Sequence, residues 1–89
     1  GYYKTGEYGI RIENLVLVVP VDIAGAEKEM LGFETLTFAP IDRRLIVREM
    51  LSGAELEWLN AYHRQVVEKI GPTLDAEHRA WLEEACASI

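Results

Sequence analysis

The 89 residues contain one cysteine, Cys86, so no internal disulfide is possible and no disulfide framework can hold the chain. A lone thiol fits a reducing compartment, and the expected location is cytoplasmic. Cys86 lies near the end of a predicted helix, where a small buried apolar role suits it better than catalysis. Histidine is almost as scarce. His63 and His78 share neither His-x-x-x-His spacing nor a Cys/His cluster, so no zinc signature is present. Each is expected to be a half-buried imidazole satisfied by a neighbour. No apolar run approaches the ~20 residues that span a bilayer. Cations are outnumbered, nine Lys and Arg against fifteen Asp and Glu, for a net charge of −6. That balance disfavours nucleic acid and anionic membrane as partners. There is no phosphate-cradling glycine loop, no nucleophile elbow, no internal repeat and no low-complexity segment. The first residue is Gly rather than Met, and the expectation is a piece excised from a longer protein.

What is present argues for a folded α+β chain. Hydrophobic residues make up 49% of it, too many for a disordered tail. At this length one small domain with a modest core is expected. The longest run of β-formers is Tyr8 to Val19. Its apolar residues alternate through Ile10-Arg11-Ile12-Glu13 and then run on from Leu15. Tyr2-Tyr3 should be the end of a preceding strand, with Lys4-Thr5-Gly6-Glu7 as the turn and Gly6 free to take positive φ. Pro20 stops the ladder or places it at an edge. Residues 22–29 are polar and read as a loop. Phe33 to Phe38 reads as a further strand, pairing antiparallel with the first long one.

Beyond Pro40 the pattern becomes helical. Ile41 to Leu51 is ambiguous, a 3₁₀ turn, an extended segment and one more helical turn, with Arg43-Arg44 in a solvated or salt-bridged bend. Ser52-Gly53-Ala54-Glu55 is a capping box, and a helix should run from it to about Lys69. Its apolar stripe is Leu56, Leu59, His63, Val66 and Ile70. Gly71-Pro72 should end it, and Asp75 should cap a second helix over about Ala76 to Ala87. The stripe expected there is His78, Trp81, Leu82, Ala85 and Ile89. A short connection implies an antiparallel pair, with one face covering the small sheet. Residues 49–89 hold eight Asp and Glu against three Lys and Arg, which most simply makes a solvated helical surface. Trp58 and Trp81 are candidate core or interface anchors.

On spacing alone, Arg11 and Glu13 lie on one face of a strand that otherwise reads as buried, and the solvated face of an edge strand is the plainest place for them. A resemblance adds to this. Gly1-Tyr2-Tyr3, the turn, and Gly9-Ile10-Arg11-Ile12-Glu13 resemble the end of the catalytic domain of the pita-bread-fold metallopeptidases. Those enzymes carry Glu-Pro-Gly-x-Tyr, a hairpin turn and Gly-x-Arg-x-Glu. Gly32-Phe33-Glu34-Thr35-Leu36-Thr37, Pro40-Ile41-Asp42 and Trp58-Leu59-Asn60-Ala61-Tyr62-His63 look like the C-terminal extension of the aminopeptidase P (Xaa-Pro aminopeptidase) branch. The resemblance covers nearly the whole chain, and its motifs are specific in combination.

The resemblance implies a fold, a site and an activity. The fold is a small antiparallel sheet, made of the last hairpin of the catalytic domain plus one further strand, packed with a C-terminal antiparallel helix pair. Residues 1–21 would end the catalytic domain and 22–89 form the extension. The family holds two divalent ions, usually manganese, with two Asp, one His and two Glu. Of these five this chain would supply Glu13 alone, bridging both ions. Arg11 would contact a ligand carboxylate, and Tyr3 would join the same network, although a packed strand tyrosine is nearly as good an account of it. The chain alone is expected to be inactive and to hold no metal. In the full enzyme the substrate would be a peptide with proline at position two, and a homo-oligomer is expected through the extension. The alternative is a non-catalytic relative of the same fold acting as a protein-interaction module.

Overall fold

The structure, a computed structural model, describes residues 1–89 in two compact units, Gly1–Thr37 and Phe38–Ile89. The first unit is built from two antiparallel ribbons rather than one sheet. β1 (Tyr2–Lys4) pairs with β2 (Tyr8–Ile10) in the register Tyr2 to Ile10, Tyr3 to Gly9 and Lys4 to Tyr8. Its turn closes through a hydrogen bond from Glu7 N–H to the Lys4 carbonyl and a 2.8 Å Lys4–Glu7 ion pair. Gly6 takes φ 74°, the left-handed conformation the turn requires. β3 (Val16–Val21) pairs with β4 (Met30–Thr35), Val16 opposite Thr35 and Val21 opposite Met30.

The single long strand expected over Tyr8 to Val19 is therefore two strands separated by residues 11–15, which lie outside both ladders. The cause is the partner. β2 pairs with β1 as far as Ile10, which stands opposite Tyr2. Strand conformation persists only where backbone groups find an antiparallel mate. The later strand likewise starts at Met30 and ends at Thr35, earlier than its β-formers suggested. Leu36 N–H still reaches the Leu15 carbonyl, and the Thr37 hydroxyl accepts from Leu15 N–H at 3.0 Å. Pro20 sits inside β3 opposite Leu31 without ending it. Both strands of a two-stranded ribbon are edges, so proline's missing N–H can fall on the open side.

The second unit opens with 3₁₀ turns at Arg43–Leu45 and Arg48–Met50. α1 (Gly53–Ile70) starts at the predicted capping box: Ser52 accepts from Glu55 N–H, and the Glu55 carboxylate accepts from Ser52 N–H. A 3₁₀ turn at Gly71–Thr73 leads into α2 (Ala76–Ala85), capped by Asp75. The chain then returns along α1, so that Asn60 and Ile89 exchange hydrogen bonds. The core is Tyr62, Val66, Leu82 and Cys86, with Phe38, Ile41, Val67, Ile70 and Leu74 against it. Cys86 takes the buried apolar place expected, and burial pushes its thiol pKa up. The predicted α2 stripe is rotated. Trp81 is 63% exposed, and His78 lies outside, its ring nitrogen 2.7 Å from Asp75. Leu82 is buried as expected, and Cys86 rather than Trp81 or His78 joins it on the inner face.

His63 was expected to be half-buried. It is fully buried, and its Nε2 accepts a 3.0 Å hydrogen bond from Ile41 N–H. Nε2 is thus the unprotonated nitrogen and the proton belongs on Nδ1, which has no partner. Arg44 pairs with Asp42, whose pKa is lowered to about 2 chiefly by the guanidinium hydrogen bond. Arg43 instead reaches the C-terminal end of α2, donating to the Glu84 and Ala87 carbonyls at 2.7 and 2.9 Å. There it satisfies carbonyls that a helix end leaves open.

Candidate functional site

The β1–β2 hairpin brings together the three residues singled out in the sequence. Opposed residues of an antiparallel pair share a face, so Tyr3 stands over Gly9. The register extended by one position puts Gly1 opposite Arg11. Arg11 then reaches diagonally across the hairpin. Its Nη1 donates to the Tyr3 hydroxyl at 2.8 Å, and its carbon Cζ lies 5.9 Å from the Tyr3 ring centre. Its Nε meets Glu13 Oε1 at 3.1 Å. One guanidinium therefore ties a phenol to a carboxylate. Arg presents donors in a fixed fork, so holding one edge of it orients the other.

The location of these groups decides what they can do. The Glu13 side chain is 70% exposed and Arg11 is about half exposed. The carboxylate has thus kept free oxygen lone pairs for another ligand. A hard divalent cation takes several oxygen ligands, and Glu13 fits as one of them. It does not make a site by itself. The chain has no group of three or more His, Cys, Asp or Glu side chains that could hold a metal ion. His63 and His78 lie in the second unit, in structural roles. The sequence reading found Tyr3, Arg11 and Glu13 but missed the two glycines beneath them, whose signal was their place in the Gly1-Tyr2-Tyr3 and Gly-x-Arg-x-Glu segments. No helix is long and apolar enough to cross a membrane.

Known proteins resemble this chain in sequence and in fold. The chain is 42% identical over 93 aligned residues, and over all of its length, to a probable Xaa-Pro aminopeptidase P of Coprinopsis cinerea. A protein of the same description in Penicillium rubens is 44% identical over the same span. The chain spans about 15% of the length of each of these curated relatives. A solved structure, an X-prolyl aminopeptidase from Caenorhabditis elegans described as a cytosolic enzyme with a di-nuclear active site, superposes with a TM-score of 0.85 at 34% identity. The match covers 99% of this chain and 15% of that one. The resemblance to Xaa-Pro aminopeptidases and the α+β fold it implied both hold. The family model described as the C-terminal region of peptidase_M24 matches residues 29–89, more than half of the sequence, and the chain belongs to that family.

Proposed function

We propose that this chain is the closing part of a dinuclear-metal Xaa-Pro aminopeptidase, an enzyme that releases the N-terminal residue preceding proline. The observation that carries this reading is the Tyr3–Arg11–Glu13 network. Residues picked out by the Gly-x-Tyr and Gly-x-Arg-x-Glu segments meet in one hydrogen-bonded chain, ending on an accessible carboxylate. Two divalent ions, proposed to be manganese, supply an activated water for amide hydrolysis when bound. Glu13 contributes one carboxylate ligand to them. Arg11 orients that carboxylate and offsets the negative charge gathered around it, and Tyr3 holds Arg11. In this reading residues 1–21 complete the catalytic domain and 22–89 form the extension. Its place is the cytoplasm, and the 89 residues alone are inactive, since one carboxylate does not replace a full ligand set.

The test uses the complete enzyme. Glu13→Gln should abolish hydrolysis of a peptide with proline at position two and lower the metal content. Arg11→Ala should reduce the rate ~10–100-fold with a smaller loss of metal. Wild-type rate and metal content in Glu13→Gln would overturn the assignment. We also propose a homo-oligomer. Exposed Leu15, Leu17, Leu31 and Phe33 on the β3–β4 ribbon and its flank, and Trp58 and Trp81 on the helices, are residue types that association covers. Sedimentation equilibrium of the 89-residue chain at micromolar concentration checks this, and a mass of one chain would count against it.

A further inference from the structure

Gly9 is not a glycine for the sake of its backbone. Positive φ occurs only at Gly6 and Gly25, so Gly9 has an ordinary strand conformation that any residue could adopt. What it lacks is room. A Cβ built on Gly9 would lie 2.7 Å from Tyr3 Cδ1 and 2.9 Å from Cε1, closer than real side chains approach. The same holds one step along the hairpin. A Cβ on Gly1 would lie 2.7 Å from Arg11 Cγ and 3.0 Å from both Arg11 Nη1 and the Ile10 carbonyl oxygen. Tyr3 and Arg11 thus lie down in two recesses, each made by the glycine opposite. In that posture the two side chains on diagonal positions meet, with Nη1 2.8 Å from the phenol oxygen.

We propose that Gly9, supported by Gly1, is a positioning residue: its missing side chain lets the Tyr3 ring lie flat on the hairpin, and through Tyr3 it aims the Arg11 guanidinium at Glu13. This rests on the reading of Glu13 as a metal ligand given above. Gly9→Ala leaves every charged and hydrogen-bonding group in place. It also replaces glycine in a strand with a residue that loses less backbone freedom on folding, so the fold should not suffer for entropic reasons. Its effect should be confined to the direction of Tyr3 and Arg11.

In the complete enzyme Gly9→Ala is expected to lower kcat/KM for an Xaa-Pro peptide about 10-fold, the lower end of what losing an outer support of a metal ligand costs. The loss should vanish in a Tyr3→Ser background, where no ring is left for the new methyl to displace. Equal losses in both backgrounds, or a wild-type rate for Gly9→Ala, would overturn the positioning role. A second readout needs no activity. In the 89-residue chain the Arg11 Nε–H resonance should move on Gly9→Ala in the same direction as on Tyr3→Phe, and an unmoved resonance would also overturn the proposal. Glu13→Gln in the same assay separates the two levels. A silent Glu13→Gln removes the site itself, whereas an inactive Glu13→Gln beside a silent Gly9→Ala removes only the role of the glycine.

Discussion

Phe33 and Leu82 are both large apolar side chains, yet Phe33 is 76% exposed and Leu82 only 3%. The difference belongs to the units that hold them. No residue of Gly1–Thr37 is buried, although the unit carries a long run of β-branched and aromatic residues. Every buried residue lies in Phe38–Ile89, mostly where α1 meets the return through α2. The first unit is held by ladder hydrogen bonds and cross-strand pairs, the second by a core. Two-stranded ribbons are marginal by themselves in water. In these 89 residues the first unit presents side chains from paired strands, and the second contains the core. The residues proposed to act on a metal are in the unit without buried residues.

Core truncation should separate the units most sharply. Leu82→Ala removes a buried side chain from the Tyr62–Val66–Cys86 cluster and should cost about 2–5 kcal/mol of unfolding free energy, from lost transfer and the cavity left. Phe33→Ala, a larger truncation, should change it by less than about 0.5 kcal/mol. Urea unfolding of both variants measures this. Comparable losses would mean that the ribbon buries far more than its exposure shows.

His63 gives the next effect, and it depends on pH. Burial, helped by the Arg43 charge, holds the imidazole below its ordinary 6.5 in the folded chain. The unfolded chain therefore binds more protons in that range, and stability rises with pH. The contribution is fully present above about pH 6.5 and is lost as pH falls through the lowered folded value. Protonation would also put a proton on Nε2, the atom that accepts from Ile41 N–H. The melting temperature of unit two should fall between pH 7 and pH 5. His63→Ala should be destabilised by about 1–3 kcal/mol at pH 7 through the orphaned Ile41 amide, with a flatter profile. A melting temperature unchanged across that range would show that the buried imidazole does not titrate with folding. Asp42 and Asp75, both held below the usual carboxylate value by hydrogen bonds, act only at lower pH.

The same division explains what could be read in advance. Signals in unit two are local. Ser52 and Glu55 are three residues apart and cap α1 as predicted, and Asp75 caps α2 through the amide of His78. Strand limits in unit one depend on a partner elsewhere in the chain, so the β-formers at 11–15 gave no sign that they would fall outside both ladders. The roles proposed for Arg11 and Glu13 rest on a resemblance, since their spacing alone fits a solvated edge. The Tyr3–Arg11 bond and the glycine recesses exist only in a particular hairpin register. The links from His63 to Ile41 and from Arg43 to Ala87 join positions far apart, and no periodicity carries them. Ser52→Ala tests the local kind of signal. It should cost about 1 kcal/mol, less than a core truncation and more than any single exposed contact of unit one. Circular dichroism during urea unfolding reads it, and an unchanged midpoint would show that packing, not the cap, fixes the start of α1.

The smallest effect on stability is expected from the residue with the largest proposed effect on activity. Glu13 meets Arg11 in an ion pair that is open to solvent on both sides, and such pairs are worth about 0–1 kcal/mol. In Glu13→Gln the side-chain amide oxygen can still accept from Arg11 Nε, so even that contribution is mostly kept. The unfolding free energy of the 89-residue chain should therefore shift by less than about 0.5 kcal/mol. If Glu13→Gln instead unfolded the chain as Leu82→Ala does, the hairpin would be a structural element. Loss of hydrolysis in the complete enzyme would then no longer point to metal binding. Unchanged stability beside abolished activity would place the Glu13 carboxylate in the chemistry and leave the fold to the helices.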